Sequence, residues 1–206
     1  AQAVENALDR QLLQVDGALA SLPTLLAVTG TEIRSPEAGQ LLRGLNFQTL
    51  AFRDLMLVDA GGTVLTSTRS RGRGRTLPVR EGLFSARPTI LVGPFRNTVT
   101  GDWSLYIART VPAWGGVTAV AEVPLLTLMK LMAETGLGPD VAIKLERPGG
   151  QLIASLPHDE LQTGKVQPES LRAGEPDGKA IVRTQAGAAK LEVVRASLYG
   201  DIKIAL

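Results

Sequence analysis

Apolar residues at Val4, Leu8, Leu12, Val15, Leu19 and Leu22 are spaced four, four, three, four and three apart, which lines them along one face of a helix. Glu5, Asp9, Arg10, Gln11 and Gln14 keep the opposite face polar. The same spacing suits a coiled-coil seam. Two readings therefore stand: a helix packed on its own domain, and a helix that pairs with a second copy. Gly17 weakens such a helix by about 1 kcal/mol relative to Ala, and Pro23 predicts a kink or a restart. Ser35-Pro36-Glu37 reads as the start of a second helix carrying Leu41, Leu42 and Leu45.

The period then changes. Phe52 to Asp59 is a strand, Ala60-Gly61-Gly62 a turn, and Thr63 to Ser67 a second strand. The plan returns later: DVAIKLERPGGQLIAS at 140–155 follows DLMLVDAGGTVLTS at 54–67, with GGTVLTS matching GGQLIAS position for position. A repeat at that distance predicts two related subdomains rather than a solenoid. Between the copies, Leu77 to Ala86 reads as a short helix bearing Arg80 and Phe84, and Thr89 to Phe95 as a strand. From Trp103 to Thr110 the residues alternate. Trp103, Leu105, Ile107 and Arg109 share one face; Ser104, Tyr106, Ala108 and Thr110 share the other. Pro112 and Gly115-Gly116 end this strand, and Val117 to Val123 is apolar enough to be covered on both faces. Pro124 opens a helix running to about Glu134, with Leu125, Leu128, Met129 and Met132 at helical spacing. Ala180 to Thr184, Lys190 to Ala196 and Ile202 to Leu206 read as three closing strands.

Composition narrows the function. The 206 residues are 44% hydrophobic and 20% charged, enough for a core and not a disordered chain. There is no cysteine, so disulfide and thiol chemistry are excluded. The single histidine, His158, opposes a His-built metal site or a catalytic triad, and it reads as a solvated loop residue. No uninterrupted apolar run approaches the ~20 residues of a membrane helix. A chain that starts at Ala1 and stops within a strand leaves room for membrane segments on either side. Arg69, Arg71, Arg73 and Arg75, interleaved with Ser and Gly, could clamp a phosphate or polyanion. With no aromatic among them, a solvated loop is the reading taken. Nucleic acid is not an expected partner, and no cofactor is expected.

In order, the amphipathic helix, the hairpin, VREGLF, PFRNTVTGDWSLYIARTV, GGVTAVAEVPLLTLMKLM and LGPDVAIKLERPGGQLIASLP resemble the double Cache sensor domains of bacterial transmembrane receptors. These are tandem PAS-like, PDC-type, extracytoplasmic domains heading histidine kinases, diguanylate cyclases and chemoreceptors. The resemblance spans essentially the whole chain, with TGDWSLYIAR its most specific piece. It implies an α+β fold: a long N-terminal stalk helix at 1–30, a membrane-distal PAS-like subdomain at 31–123, and a linking helix with a membrane-proximal PAS-like subdomain at 124–206. It also implies a periplasmic, non-enzymatic input domain of an inner-membrane protein, dimeric through its N-terminal helix, that binds a small polar ligand and signals to a kinase or cyclase output. Amino-acid-binding members use an Arg–aromatic cluster before the third strand and an acidic residue at the end of the fifth. Arg80 and Phe84 fall at the first position and Glu122 at the second, although the Trp-Tyr pair expected after the Arg is missing. Together with Trp103, Tyr106 and Arg109 these are the candidate ligand-binding residues. Arg80 or Arg109 would hold a carboxylate bidentately and Glu122 an ammonium. An Arg109–Glu122 ion pair with no ligand is the alternative, and a ligand-free dimerisation module or a free-standing enzyme are the competing functions. Against an enzyme stand the absent cysteine, the lone histidine and the lack of a nucleotide loop.

Overall fold

The computed structural model describes all residues except 1, 50–51, 70, 79–87, 98–99, 112–113, 139, 168–177, 179, 186–187 and 199–201, and leaves undescribed the side chains of 47–49, 181, 183–185 and 188–190. Helix α1 (Gln2–Thr29) is continuous through Pro23, and no restart occurs there. The reason is burial on either side of the proline: Leu19, Leu22 and Leu26 are all in the core. A proline costs about 3 kcal/mol in a helix interior, and burying one Leu side chain recovers about 1.5–3 kcal/mol. Val4, Leu8, Leu12, Val15 and Leu19 are equally buried, so the stripe that could have been a dimer seam lies inside the chain's own core. Asp16, from the same helix, reaches out to Arg109 and Thr89. By length and composition α1 is also apolar enough to cross a membrane; an amphipathic core helix meets the same test.

Helix α2 (Pro36–Thr49) starts as its sequence requires, with Ser35 Oγ accepting a bond from Ala38 N at 3.3 Å and Pro36 in the first turn. Five strands follow: β1 (Asp54–Val58), β2 (Val64–Ser67), β3 (Thr89–Arg96), β4 (Trp103–Val111) and β5 (Val117–Pro124). They form one antiparallel sheet in the order β2-β1-β5-β4-β3. Helix α3 (Leu125–Glu134) comes next, burying Leu125, Leu128 and Met132. A second antiparallel sheet is then made from β6 (Ile143–Glu146), β7 (Leu152–Leu156), β8 (Ala180–Gln185), β9 (Ala188–Ala196) and β10 (Lys203–Ala205), in the order β7-β6-β10-β9-β8. The architecture is α+β, with a long N-terminal helix and two antiparallel sheets. Two compact units result, one of residues 11–124 and one of residues 1–10 with 125–206.

The repeat seen in the sequence extends to individual hydrogen bonds. After β2, the chain folds back along its edge as a strap: Val64 N donates to Arg75 O, Gly74 N to Val64 O and Leu77 N to Gly62 O. After β7 the same three bonds recur, from Leu152 N to Lys165 O, Gly164 N to Leu152 O and Gln167 N to Gly150 O. Gly62 and Gly150, which close the two hairpin turns, and Gly74 and Gly164 in the straps all sit at φ +82°, a conformation glycine adopts without steric cost.

Candidate functional site

Pairing registers decide which side chains share a face. Tyr106 lies opposite Glu122 on β4 and β5, and Asp54 lies opposite Glu122 on β1 and β5. Asp54, Met56, Val58, Val120, Glu122, Tyr106 and Ala108 therefore look out from one side of the first sheet. An apolar cluster covers most of that side: Met56, Val58, Val64, Leu77, Tyr106, Ala108 and Val120, with Ile90, Val92 and Phe95 packed on it. Phe95 stacks on Tyr106 with ring centroids 5.6 Å apart.

At one end of this face the surface becomes charged. Asp54 and Glu122 are both fully buried. Ser67 Oγ donates to Asp54 at 2.8 Å and Thr68 Oγ1 at 2.6 Å. Asn97 Nδ2 donates to Glu122 Oε1 at 3.0 Å, and Ser104 Oγ to the same oxygen at 3.1 Å. Two arginines complete the cluster. Arg53 bonds Asp102 at 2.7 Å and Thr100 at 2.9 Å, with Glu122 Oε1 3.8 Å away. Arg75 enters from the strap: a single guanidinium nitrogen, NH2, lies 3.0 Å from Asp54 Oδ2, 3.1 Å from Met56 Sδ and 3.7 Å from Glu122 Oε2. Glu122 Oε2 and Arg75 Nε are buried without a hydrogen bond among the described residues.

Electrostatics follow from that burial. Desolvation pushes the Asp54 carboxyl up, against the opposing effects of Thr68, Ser67 and Arg75. Burial and then the Glu122 charge push the Tyr106 phenol up to about 12, so it stays a neutral hydroxyl. The exposed Asp102 is instead held below its ordinary value, first by the Arg53 hydrogen bond.

The candidate residues thus part company. Tyr106 and Glu122 are together on the charged face. Trp103 and Arg109 project from the other side of β4, where Arg109 pairs with Asp16 at 2.9 Å and bonds Thr89 at 3.0 Å. An Arg109–Glu122 pair is not formed, because odd and even positions of one strand point to opposite faces. Trp114 lies at the far end of the sheet, lining an open groove of about 500 Å³ with Ile33, Arg34, Asp59 and Leu65. Arg80 and Phe84 lie outside the described residues. Asp54 and Arg53 were not singled out from the sequence, and Arg75 was read with Arg69, Arg71 and Arg73 as part of a solvated loop. The available signal for Asp54 was a carboxylate opening an otherwise apolar five-residue strand.

No family model matches the chain, and no curated protein matches it in sequence. Solved structures do match. An extracellular domain described as that of a histidine kinase superposes with a TM-score of 0.75 at 17% identity, covering 98% of this chain and 89% of the other. The ligand-binding domain of the Pseudomonas aeruginosa amino acid chemoreceptor PctB, in complex with L-Arg, gives 0.67 at 19% identity over 98% of this chain and 87% of the other. That of the Pseudomonas fluorescens chemoreceptor CtaA with L-serine gives 0.66 at 19% identity, covering 99% and 89%. The fold is that of the extracellular ligand-binding domains of histidine kinases and chemoreceptors. It is the double Cache architecture that the order of sequence elements implied.

Proposed function

We propose that this chain is an extracytoplasmic sensory input domain that binds a small polar ligand on the charged face of its first sheet and passes the signal across a membrane. The observation that carries this reading is the buried acid pair Asp54 and Glu122 with the half-buried Arg53 and Arg75, placed beside the aromatic pair Phe95–Tyr106 in a fold whose solved examples include amino-acid-binding domains. Two buried carboxylates favour a ligand with a protonated amine. A carboxylate on the same ligand would be met by Arg80, which lies three residues along the chain from the buried Leu77 of this face. Phe84 would supply an aromatic contact. The distal subdomain at 31–123 then holds the ligand and the proximal one at 124–206 faces the membrane. The output is a histidine kinase or a diguanylate cyclase.

The chain pairs with a second copy along α1. With the Leu8–Leu19 stripe buried, that contact uses the outward residues Leu13, Gly17, Ala20 and Thr24, of which Leu13 is 50% exposed.

Calorimetry with L-alanine, L-serine, L-arginine, acetate and succinate tests the ligand reading, on the native chain and on Glu122→Gln. Amino acids are expected to bind and the simple acids not. Glu122→Gln should weaken binding by about tenfold or more, the usual worth of a charge-assisted hydrogen bond. Absence of heat from every compound, with native protein, would overturn the reading.

A further inference from the structure

We propose that the chain's own Arg75 occupies the acid pair Asp54–Glu122 as an internal competitor, which a ligand's ammonium or guanidinium group must displace. The inference rests on the sensory reading above and says how that site is regulated.

Three observations carry it. The first is the coordination of Arg75. Among the described residues one nitrogen makes every acid contact and Nε has no hydrogen bond, while the side chain remains 30% exposed. A structural buried arginine ordinarily meets carboxylates through a two-pronged fork; this one reaches in from the rim with one finger. The second is Glu122 Oε2, a fully buried carboxylate oxygen with no hydrogen bond among the described residues, 3.7 Å from Arg75 NH2. A compact donor with several N–H groups at the position of Arg75 NH2 would satisfy both this oxygen and Asp54 Oδ2.

The third is internal to the chain. The strap that carries Arg75 is built again after β7, with the same three backbone bonds. There the residue equivalent to Arg75 is Lys165, which is exposed, and the residue equivalent to Asp54 is Ala142. Backbone bonds, with Gln151 Nε2 donating to Gly164 O, hold that strap without an arginine–aspartate tie, so a strap of this build does not require one. Arg75 is an occupant of the acid pair. An internal occupant lowers the apparent affinity for any competing cation by the fraction of time that the subsite is free. Exchange also releases the Arg75 side chain from the face, which gives ligand binding a readable consequence at the strap.

Methylguanidinium is the probe, with tetramethylammonium, which has no N–H to donate, as the control at equal ionic strength. Thermal melts of the 206-residue chain are recorded for the native protein, Arg75→Ala and Arg75→Gln. Both variants are expected to melt below the native protein, and methylguanidinium to raise their Tm at concentrations about tenfold or more lower than any it needs for the native chain. Adding Glu122→Gln to Arg75→Ala should abolish that rescue. Equal responses of native and variant proteins, or equal effects of the two cations, would overturn the proposal. So would failure of both Arg75 variants to fold at any probe concentration, since Arg75 would then be a tie that no free cation replaces. The amino-acid titrations separate the two ideas. Amino acids that bind native protein and Arg75→Ala with the same affinity would leave the sensory reading intact and remove this one. Rescue by methylguanidinium without binding of any amino acid would do the reverse.

Discussion

Asp54 and Glu122 face each other across the β1–β5 ladder, both fully buried, and a single nitrogen of Arg75 lies 3.0 Å from one and 3.7 Å from the other. Two acids on the same rung are tolerated because side-chain donors serve each of them and Arg53 and Arg75 stand nearby. Ser67 and Thr68 serve Asp54, while Asn97 and Ser104 serve Glu122.

Truncating Glu122 should be costly, and neutralising it much less so. Glu122→Ala removes the acceptor shared by Asn97 Nδ2 and Ser104 Oγ in a buried site, and removal of one partner from such a network costs about 3–5 kcal/mol. Glu122→Gln keeps an oxygen where both donors point, and its cost should be about half or less. Urea unfolding midpoints of the two variants measure the difference, and equal midpoints would contradict the assigned network.

Asp54 should make stability depend on pH in the sense opposite to most carboxylates. Its folded pKa is raised above the ordinary 3.8, so the folded chain holds the proton more tightly than the unfolded one. The resulting stabilisation is fully present below pH 3.8 and is lost as pH rises through the folded value. Asp102 acts the other way: its folded pKa is depressed, so its contribution is present above the ordinary value and lost as pH falls through the folded one. Relative to Asp54→Asn, the native chain should therefore lose stability on going from acid toward neutral pH. Urea midpoints recorded in steps across that range check it, and a constant difference would sink the assignment.

Gly72 touches this site from behind. A Cβ there would come within 2.2 Å of Ser67 Oγ and 2.6 Å of Ser67 Cβ. Ser67 is a donor to Asp54, so Gly72→Ala should cost about 1–3 kcal/mol by overpacking and also disturb that hydrogen bond. Gly44→Ala is the contrast. It lies in α2 with nothing within 4 Å of the added atom, and should be neutral or stabilising by up to about 1 kcal/mol. The melting temperature should fall for Gly72→Ala and stay level or rise for Gly44→Ala.

Arg109 should matter to folding and not to binding. Its partner Asp16 and both side chains are partly exposed, at 30% and 21%, so a double-mutant cycle should give a coupling of about 1 kcal/mol or less. If the ligand binds at the proposed site, on the opposite face of β4, Arg109→Ala should leave ligand affinity within about twofold. A larger loss would move the site to the other side of the sheet.

Leu19→Ala should behave as a core truncation. Leu19 is fully buried, and the expected loss is about 2–5 kcal/mol without a change in oligomeric state. Sedimentation alongside chemical unfolding would detect the alternative, a dimer that dissociates at unchanged stability.

Much of the fold was legible because periodicity reports burial directly. The stripe from Val4 to Leu22, the alternation in β4 and the Gly-Gly turns at 61–62 and 149–150 each correspond to an observed element. The strap was not legible, since its contacts are backbone bonds along a strand edge and leave no side-chain period. For the same reason Arg75 could not be told from Arg69, Arg71 and Arg73. All four alternate with small residues, but only Arg75 lies where the strap crosses the acid end of the sheet, while the other three are exposed. The candidate residues on β4 were drawn from both faces at once. Trp103 and Arg109 could not share one pocket with Tyr106, and the alternation already contained that fact.

The duplicated strap has a consequence for how such a chain can diverge. Its position is set by main-chain donors and acceptors and by glycines at matching turns, so the residue at 75 or 165 is free to change without moving the frame that presents it. In one half that freedom has produced a cation aimed at buried acids, and in the other a lysine in water. A scaffold built this way can exchange the side chain it presents through one or two substitutions while its main-chain frame stays in place. Domains less than one-fifth identical to this chain share its fold, and two of them were solved with different amino acids, L-arginine and L-serine.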